Sequence, residues 1–215
     1  MRIFLDTANI DDIRRGAALG VVDGVTTNPT LVAKEGIQYR DRVLEICEVV
    51  DGPISAECIS TEYEALVEEA RRVAAWHPNV VVKIPMGEVG LQAIKTVSAE
   101  GIKVNTTLIF SANQALLAAK AGAAFVSPFV GRLNDAGHDG MEVIREIVAL
   151  FDAFNLPTQV LAASIRNPRD VTEAALAGSH VATLPPAVLF SMIQHPLTDK
   201  GVEIFLNDAK KYSPV

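Results

Sequence analysis

Residues Val80–Pro85 read Val-Val-Val-Lys-Ile-Pro, an apolar run with one lysine inside it. Such a run is typical of a β-strand that is buried on both faces, as in a parallel sheet. An ammonium group in this position costs free energy, because burial removes its hydration shell. Lys83 therefore reaches solvent at the strand end, pairs with a structural carboxylate, or is an uncharged amine held for imine chemistry. The strand alone leaves these alternatives open.

The rest of the chain alternates short β-branched runs with segments of helical period. The eight predicted strands are Arg2–Asp6, Val22–Thr27, Ile54–Ile59, Val80–Pro85, Lys103–Ile109, Phe125–Val130, Thr158–Ser164 and His180–Pro185. The predicted helices between them are Thr61–Ala75, Gly87–Glu100, Ala112–Ala121, Gly140–Phe154 and Pro168–Ala177. A spacing of roughly 25 residues between successive strands predicts an α/β protein with a single (β/α)8 TIM barrel. The alternative is a doubly wound open sheet, although no Gly-x-Gly-x-x-Gly follows the first strand.

The composition limits the classes of protein and partner. With 49% hydrophobic and 21% charged residues, the chain is not disordered. Its net charge of −7 argues against a nucleic-acid partner and requires local cations for an anionic substrate. No apolar run approaches the roughly 18 residues of a membrane helix, and the N-terminus enters a strand without a signal peptide. Cys47 and Cys58 lack metal or redox spacing, so we expect a cytoplasmic protein without a metal site.

One domain is expected over residues 1–215, since no linker or low-complexity tract interrupts the pattern. After Pro196 the segment Lys200–Lys211 shows one more amphipathic pattern. It predicts an extra C-terminal helix at about residues 199–211, packed on the barrel or on a neighbouring subunit.

Polar residues recur at the carboxyl ends of the predicted strands, where barrel enzymes build their active sites. In strand order they are Asp6; Thr26, Thr27 and Asn28; Glu57; Lys83; Asn105 and Thr107; Ser127 with Phe129 and Arg132; and Ser164 with Arg166. Singly, each has a structural interpretation: Asp6 as a cap for a helix starting near Asn9, or Asn28 as an N-cap. Seven successive strands with such residues at the same end favour a catalytic Lys83.

These residues fall in motifs that resemble the transaldolases, and most closely their short subfamily, which includes the fructose-6-phosphate aldolases. The motifs are Leu5–Ala8, Gly24–Pro29, Val82–Pro85, Asn105–Ser111 and Ser127–Arg132, and the resemblance covers essentially the whole chain. It implies a (β/α)8 barrel, a Schiff-base lysine, and neither a metal nor an organic cofactor. It also implies a homo-oligomer, a ring-like decamer or pentamer, with the C-terminal helix reaching a neighbouring subunit.

The resemblance also implies a role for each matched position. Lys83 is the nucleophile and Asp6 the general base, while Glu57 and Thr107 handle the water that is lost and regained at the imine. Asn28 and Asn105 form hydrogen bonds to the dihydroxyacetone moiety, and Ser127 lines the same pocket. The full set of implied substrate-binding residues is Thr27, Asn28, Asn105, Ser127 and Phe129. The phosphate is bound by Arg132, Ser164 and Arg166, whose two guanidinium groups suit a phosphate dianion.

The implied activity is transfer of dihydroxyacetone from a ketose phosphate to an aldose phosphate, as in the non-oxidative pentose phosphate pathway. In the aldolase branch the position of Phe129 is a tyrosine and that of Glu57 a glutamine, so both positions favour a transaldolase. Two alternatives are a fructose-6-phosphate aldolase and a barrel that binds sugar phosphates without turnover. A binding protein gains little from burying an unpaired amine, which argues against the second alternative.

Overall fold

Eight parallel strands close into a barrel in sequence order, and the last strand is hydrogen-bonded to the first. They are β1 Arg2–Asp6, β2 Gly24–Thr26, β3 Ile54–Glu57, β4 Val80–Pro85, β5 Val104–Ile109, β6 Phe125–Pro128, β7 Gln159–Ala162 and β8 Val181–Leu184. The computed structural model describes residues 1–212, so the last three residues of the predicted domain lie outside the described part. The predicted (β/α)8 barrel is confirmed, although six of its strands are shorter than the sequence pattern predicts.

Eleven helices accompany the strands in the described part of the chain. They are α1 Ile10–Ala17, α2 Pro29–Glu35, α3 Tyr39–Val49, α4 Tyr63–Ala74, α5 Glu88–Ala99, α6 Ala112–Ala121, α7 Val130–Asp135, α8 Gly140–Ala153, α9 Pro168–Leu176, α10 Pro186–Met192 and α11 Pro196–Ala209. The extra C-terminal helix α11 is confirmed and begins earlier than predicted, at a proline in the first helical position.

The sequence pattern does not predict α2, α3, α7 or α10, and it indicates only the start of α1. Three of these helices have six or seven residues, too few to display a full apolar period. In α3 the buried face includes the charged Arg42 beside Val43 and Ile46, which breaks the apolar stripe.

The two faces of each strand serve different purposes. Outward-facing residues such as Val82, Ile84 and Val104 join the large apolar layer between the strands and the helices. Inward-facing Phe4, Phe125 and their neighbours form a smaller cluster that fills the barrel interior. Residues two positions further along the strands therefore face the carboxyl-terminal mouth, where the polar side chains gather.

Helix α11 differs from the others because none of its residues is buried. Its exposed apolar side chains include Leu197, Phe205 and Leu206. No helix within residues 1–212 is long and apolar enough to cross a membrane.

The close approach of β2 to β1 yields a testable prediction. A Cβ atom on Gly24 would lie 2.6 Å from the Pro53 carbonyl oxygen and 2.7 Å from the Phe4 ring. Gly24→Ala should therefore destabilise the barrel by about 1–3 kcal/mol, as overpacking of a filled core does. Urea unfolding measures the loss. Gly201→Ala, where nothing lies within 4 Å of the added Cβ, should show no loss. Equal stability of the two variants would contradict this prediction.

Candidate active site

Lys83 lies inside the barrel mouth and is paired. Its Nζ lies 2.8 Å from Oε2 of Glu57, and the two side chains are 7% and 16% exposed. Nζ also donates a hydrogen bond to the carbonyl oxygen of Thr27 at 3.3 Å. The premise of an unpaired buried amine is therefore wrong. The partner lies beside Lys83 because Glu57 on β3 and Lys83 on β4 are in direct register.

Asp6 belongs to a chain of hydroxyl groups across β1, β2 and β8. Thr26 Oγ1 donates to Asp6 Oδ1 at 2.8 Å and lies 2.6 Å from Thr183 Oγ1. The proton of Thr26 is used on Asp6, so Thr183 donates to Thr26. Asp6 does not cap the first helix, because the side chain of Asn9 accepts from the Asp12 amide there.

The pKa of the Asp6 carboxyl is raised above its ordinary value of 3.8. Burial is the largest cause, since it disfavours the charged form, and the nearby Glu57 carboxylate acts in the same direction. The positive charge of Lys83 and the hydrogen bond from Thr26 oppose the shift without cancelling it. The Asp6 carboxylate is therefore a stronger base than that of an exposed aspartate.

The side chains of Thr26 and Thr27 point in opposite directions, because adjacent residues in an extended chain face opposite sides. Thr26 faces the cavity, whereas the Thr27 hydroxyl donates to the Ser55 carbonyl oxygen at 2.8 Å on the outer side. Only the backbone carbonyl of Thr27 reaches Lys83. Thr26 and Asn28 are two residues apart and both line the cavity, so the alternation of an extended chain already predicts from the sequence that Thr27 faces away from it.

An amide network lines the barrel beside Lys83, since Asn105 on β5 is in direct register with Lys83 on β4. Ser127 Oγ donates to Asn105 Oδ1 at 2.7 Å, and Asn105 Nδ2 donates to Ser55 Oγ at 3.1 Å. These bonds fix the orientation of the Asn105 amide. Ser55 lies outside the sequence-predicted site, and its position two residues before Glu57 on β3 is the signal for its inward direction.

Asn28 has both of the roles considered for it. Its Oδ1 accepts from the Leu31 amide at 2.9 Å and caps α2. Asn28 also lines the cavity beside Lys83. The cap therefore fixes the side chain that faces the cavity.

The three residues of the predicted phosphate site lie at the mouth beyond β6 and β7. The Arg132 guanidinium lies 4.8 Å from the centre of the Phe129 ring, and both residues line the cavity. Ser164 also lines it and has a left-handed backbone with φ 58°. Arg166 points to Asp135 at 2.6 Å, and its side chain is 55% exposed. Two of the three thus face the cavity, and the third holds an exposed carboxylate.

Two adjoining cavities of about 120 and 390 Å³ meet at Asn28, Lys83, Phe129 and Arg132. The smaller is lined by Asp6, Thr26, Asn28, Lys83, Ser127, Phe129, Arg132, Ala163, Ser164 and Thr183. The larger adds Glu57 and Thr107, the latter beside a β5 bulge with Leu108 at φ 59°. Within residues 1–212 no group of three or more His, Cys, Asp or Glu residues is placed to hold a metal ion.

The sequence matches known proteins over nearly its whole length. Residues 3–213 match the family model described as Transaldolase/Fructose-6-phosphate aldolase. A "Probable transaldolase" of Herpetosiphon aurantiacus is 60% identical over 97% of this chain and 94% of its own length. Another "Probable transaldolase", from Desulforudis audaxviator, is 61% identical over 97% of both chains.

Solved structures show the same fold at low identity. A thiamine phosphate pyrophosphorylase from Pyrococcus furiosus superimposes with a TM-score of 0.61 at 17% identity, over 87% of this chain and 86% of its own. At this identity the similarity concerns the barrel fold alone.

The raised pKa of Asp6 predicts a stability change with a definite sign. Between 3.8 and the raised pKa, the folded state keeps a proton that the unfolded state has lost, so this group lowers stability as pH rises. Asp6→Asn removes the charge and keeps an acceptor for Thr26. At pH 8 the melting temperature of Asp6→Asn should be higher than that of the wild type, by about 2–4 °C for each kcal/mol gained in the free energy of unfolding. This difference in melting temperature should shrink towards pH 4.

Calorimetry across this pH range measures the effect. Asp152→Asn, a change at an exposed position of α8, is the control, and its melting temperature should equal that of the wild type at every pH. A constant offset between Asp6→Asn and the wild type at all pH values would contradict the assignment.

Proposed function

Because the chain belongs to the transaldolase/fructose-6-phosphate aldolase family, we propose that it is a transaldolase that works through a Schiff base on Lys83. The donor is a ketose phosphate, fructose 6-phosphate or sedoheptulose 7-phosphate. The acceptor is an aldose phosphate, erythrose 4-phosphate or glyceraldehyde 3-phosphate. The observation that carries the proposal is one amine in a cavity between two carboxylates, with Arg132 at the mouth.

Imine formation uses the pair of Lys83 and Glu57. Glu57 accepts a proton from the Lys83 ammonium across 2.8 Å, and the neutral amine attacks the C2 carbonyl of the donor. The resulting carbinolamine loses its hydroxyl as water, to which Glu57 returns the proton. Thr107, which lines the same cavity, is placed to hold this water. The product is a protonated imine, which is an electron sink.

Carbon–carbon cleavage uses Asp6. Its carboxylate takes the proton of the C4 hydroxyl, the C3–C4 bond breaks, and the electron pair moves into the C2–C3 bond to give an enamine. The aldose phosphate leaves, and three carbons remain on Lys83. The raised pKa supports this role, because it makes Asp6 more basic, and the hydrogen bond from Thr26 orients the carboxylate.

The phosphate binds at Arg132, Ser164 and Arg166. Arg132 and Ser164 line the cavity, whereas Arg166 must exchange its bond with Asp135 for the phosphate. This exchange costs little, because an exposed ion pair is screened by solvent. The two arginines supply the local positive charge that a chain of net charge −7 needs for an anionic substrate.

Phe129 favours transfer over cleavage. Its ring packs beside Phe110, with centroids 5.8 Å apart, and has no proton to give to the enamine. The enamine therefore survives until an acceptor aldehyde arrives. A tyrosine here would supply a general acid and release free dihydroxyacetone, completing the cycle of an aldolase.

The proposal includes a cytoplasmic homo-oligomer that binds sugar phosphates and no nucleic acid, membrane, metal or organic cofactor. Its assembly as a ring-like decamer or pentamer rests on the family resemblance. The exposed apolar residues of α11, among them Leu197, Phe205 and Leu206, support a contact with a neighbouring subunit.

Borohydride trapping with fructose 6-phosphate alone tests the mechanism. The wild type should carry a reduced three-carbon adduct on the peptide that contains Lys83. Asp6→Ala should carry the intact ketose phosphate, because the imine forms and the C3–C4 bond persists. Lys83→Met should carry no adduct, whereas Lys103→Met, a change at an exposed lysine before β5, should behave as the wild type. Intact mass and peptide mapping read all four.

Two further measurements separate the alternatives: calorimetric titration with fructose 6-phosphate tests for a binding protein, and an assay of free dihydroxyacetone tests for an aldolase. A folded wild type that binds the sugar phosphate without forming an adduct would contradict the Schiff base and favour a binding protein. Release of free dihydroxyacetone at the same rate with and without an acceptor would favour the aldolase.

Phe129→Tyr should raise the ratio of free dihydroxyacetone released to dihydroxyacetone transferred, by about tenfold or more. The physical reason is that a positioned general acid accelerates proton transfer by about 10²–10⁴-fold. Coupled assays with and without erythrose 4-phosphate give the ratio. Phe110→Tyr adds the same phenol outside the cavity lining and should not change it. An unchanged ratio in Phe129→Tyr would remove this residue from the discrimination.

A further inference from the structure

The hydrogen-bond ladder between β2 and β3 opens at the active site. Val25 N–H donates to the Pro53 carbonyl oxygen at 3.0 Å, and Thr27 N–H donates to that of Ser55 at 3.1 Å. In a parallel ladder the next bond would run from Glu57 N–H to the Thr27 carbonyl oxygen. Glu57 N–H instead donates to the Tyr39 hydroxyl oxygen at 2.6 Å. The Thr27 carbonyl oxygen is left to accept from Lys83 Nζ at 3.3 Å.

The direction of the bonds around the Tyr39 hydroxyl is determined by its neighbours. The Thr27 hydroxyl donates to the Ser55 carbonyl oxygen at 2.8 Å, so its oxygen accepts from Tyr39 at 3.0 Å. The Tyr39 oxygen is then the acceptor for Glu57 N–H, and its only proton is used. Burial raises the pKa of Tyr39 to about 12, so the hydroxyl keeps this proton at neutral pH.

The ring of Tyr39 is held from outside the barrel. Tyr39 opens α3, and its ring meets that of Trp76, just after α4, edge-on at 5.7 Å and 80°. One turn along α3, the buried Arg42 donates to the Ala8 carbonyl oxygen at 2.6 Å. These contacts fix the approach of α3 and keep the hydroxyl at the opening of the ladder.

We propose that Tyr39 is a positioning residue for the pair of Lys83 and Glu57. Its hydroxyl replaces the Thr27 carbonyl as the acceptor for Glu57 N–H, which holds Glu57 at the end of β3 and releases that carbonyl to Lys83. The inference rests on the proposed function. It assigns Tyr39 to imine formation and leaves bond cleavage to Asp6, which is held by Thr26 on another side of the barrel.

Tyr39→Phe keeps the ring and its contact with Trp76 and removes the hydroxyl. We expect single-turnover borohydride trapping on Lys83 to slow by about tenfold, the size of one hydrogen bond to a buried donor. The KM for the donor should change little. Tyr63→Phe is the matched control, because it removes a hydroxyl that contacts Thr96 on the outside of the barrel at 2.9 Å. That variant should trap at the wild-type rate.

A double-mutant cycle separates positioning from a general loss of structure. If Tyr39 acts through Glu57, Tyr39→Phe should slow trapping much less in a Glu57→Ala background than in the wild type. The same fold loss in both backgrounds, or a wild-type rate in the single variant, would overturn the inference.

Hydrogen exchange gives a readout that does not depend on turnover. In Tyr39→Phe the peptide that contains the Glu57 amide should exchange faster, since that N–H loses its acceptor, whereas Tyr63→Phe should not affect it. If the wild type forms no adduct with the donor, the proposed function is contradicted. Hydrogen exchange would still test whether the Tyr39 hydroxyl holds the Glu57 amide. Unchanged exchange at Glu57 would overturn the inference in either case.

Discussion

The ion pair of Lys83 and Glu57 is the interaction on which the rest of the site depends. Two charges this deeply buried are costly, and their attraction offsets the cost only when further hydrogen bonds satisfy them. The Thr27 carbonyl supplies one such bond, and it is available because the β2–β3 ladder opens at that residue. The direct register of β3 with β4 supplies the short distance. The pairing of β2, β3 and β4 therefore determines the geometry of the site.

Much of the fold and part of the site were predictable, because both follow from strand periodicity. Buried apolar runs spaced as in a barrel mark the strands, and parity along each strand places Lys83 and Glu57 on the inner face. The same rule applied more strictly separates Thr26 from Thr27, since only the former shares the face of Asp6. The helices that the pattern does not predict are short or, like α3, bury a charged residue.

What the sequence does not indicate depends on contacts between distant segments. Thr183 reaches Thr26 only because the barrel closes β8 onto β1, and Tyr39 reaches Glu57 only because α3 packs on the strands. No local period marks a tyrosine at the start of a helix as a partner of a strand amide. Pairing of Lys83 was one of three open alternatives, and choosing among them required the register of two strands.

The site places two proton acceptors on different sides of a single amine. Glu57 contacts Lys83 directly, whereas Asp6 is tied to Thr26 and, through it, to Thr183. In the proposed reaction one carboxylate serves imine formation and the other serves bond cleavage. Burial strengthens Asp6 as a base, while the ion pair keeps Glu57 bonded to the amine from which it must take a proton. The two carboxylates lie on separate strands and have separate hydrogen-bond partners, yet they are coupled, because the charges of Glu57 and Lys83 both act on the pKa of Asp6.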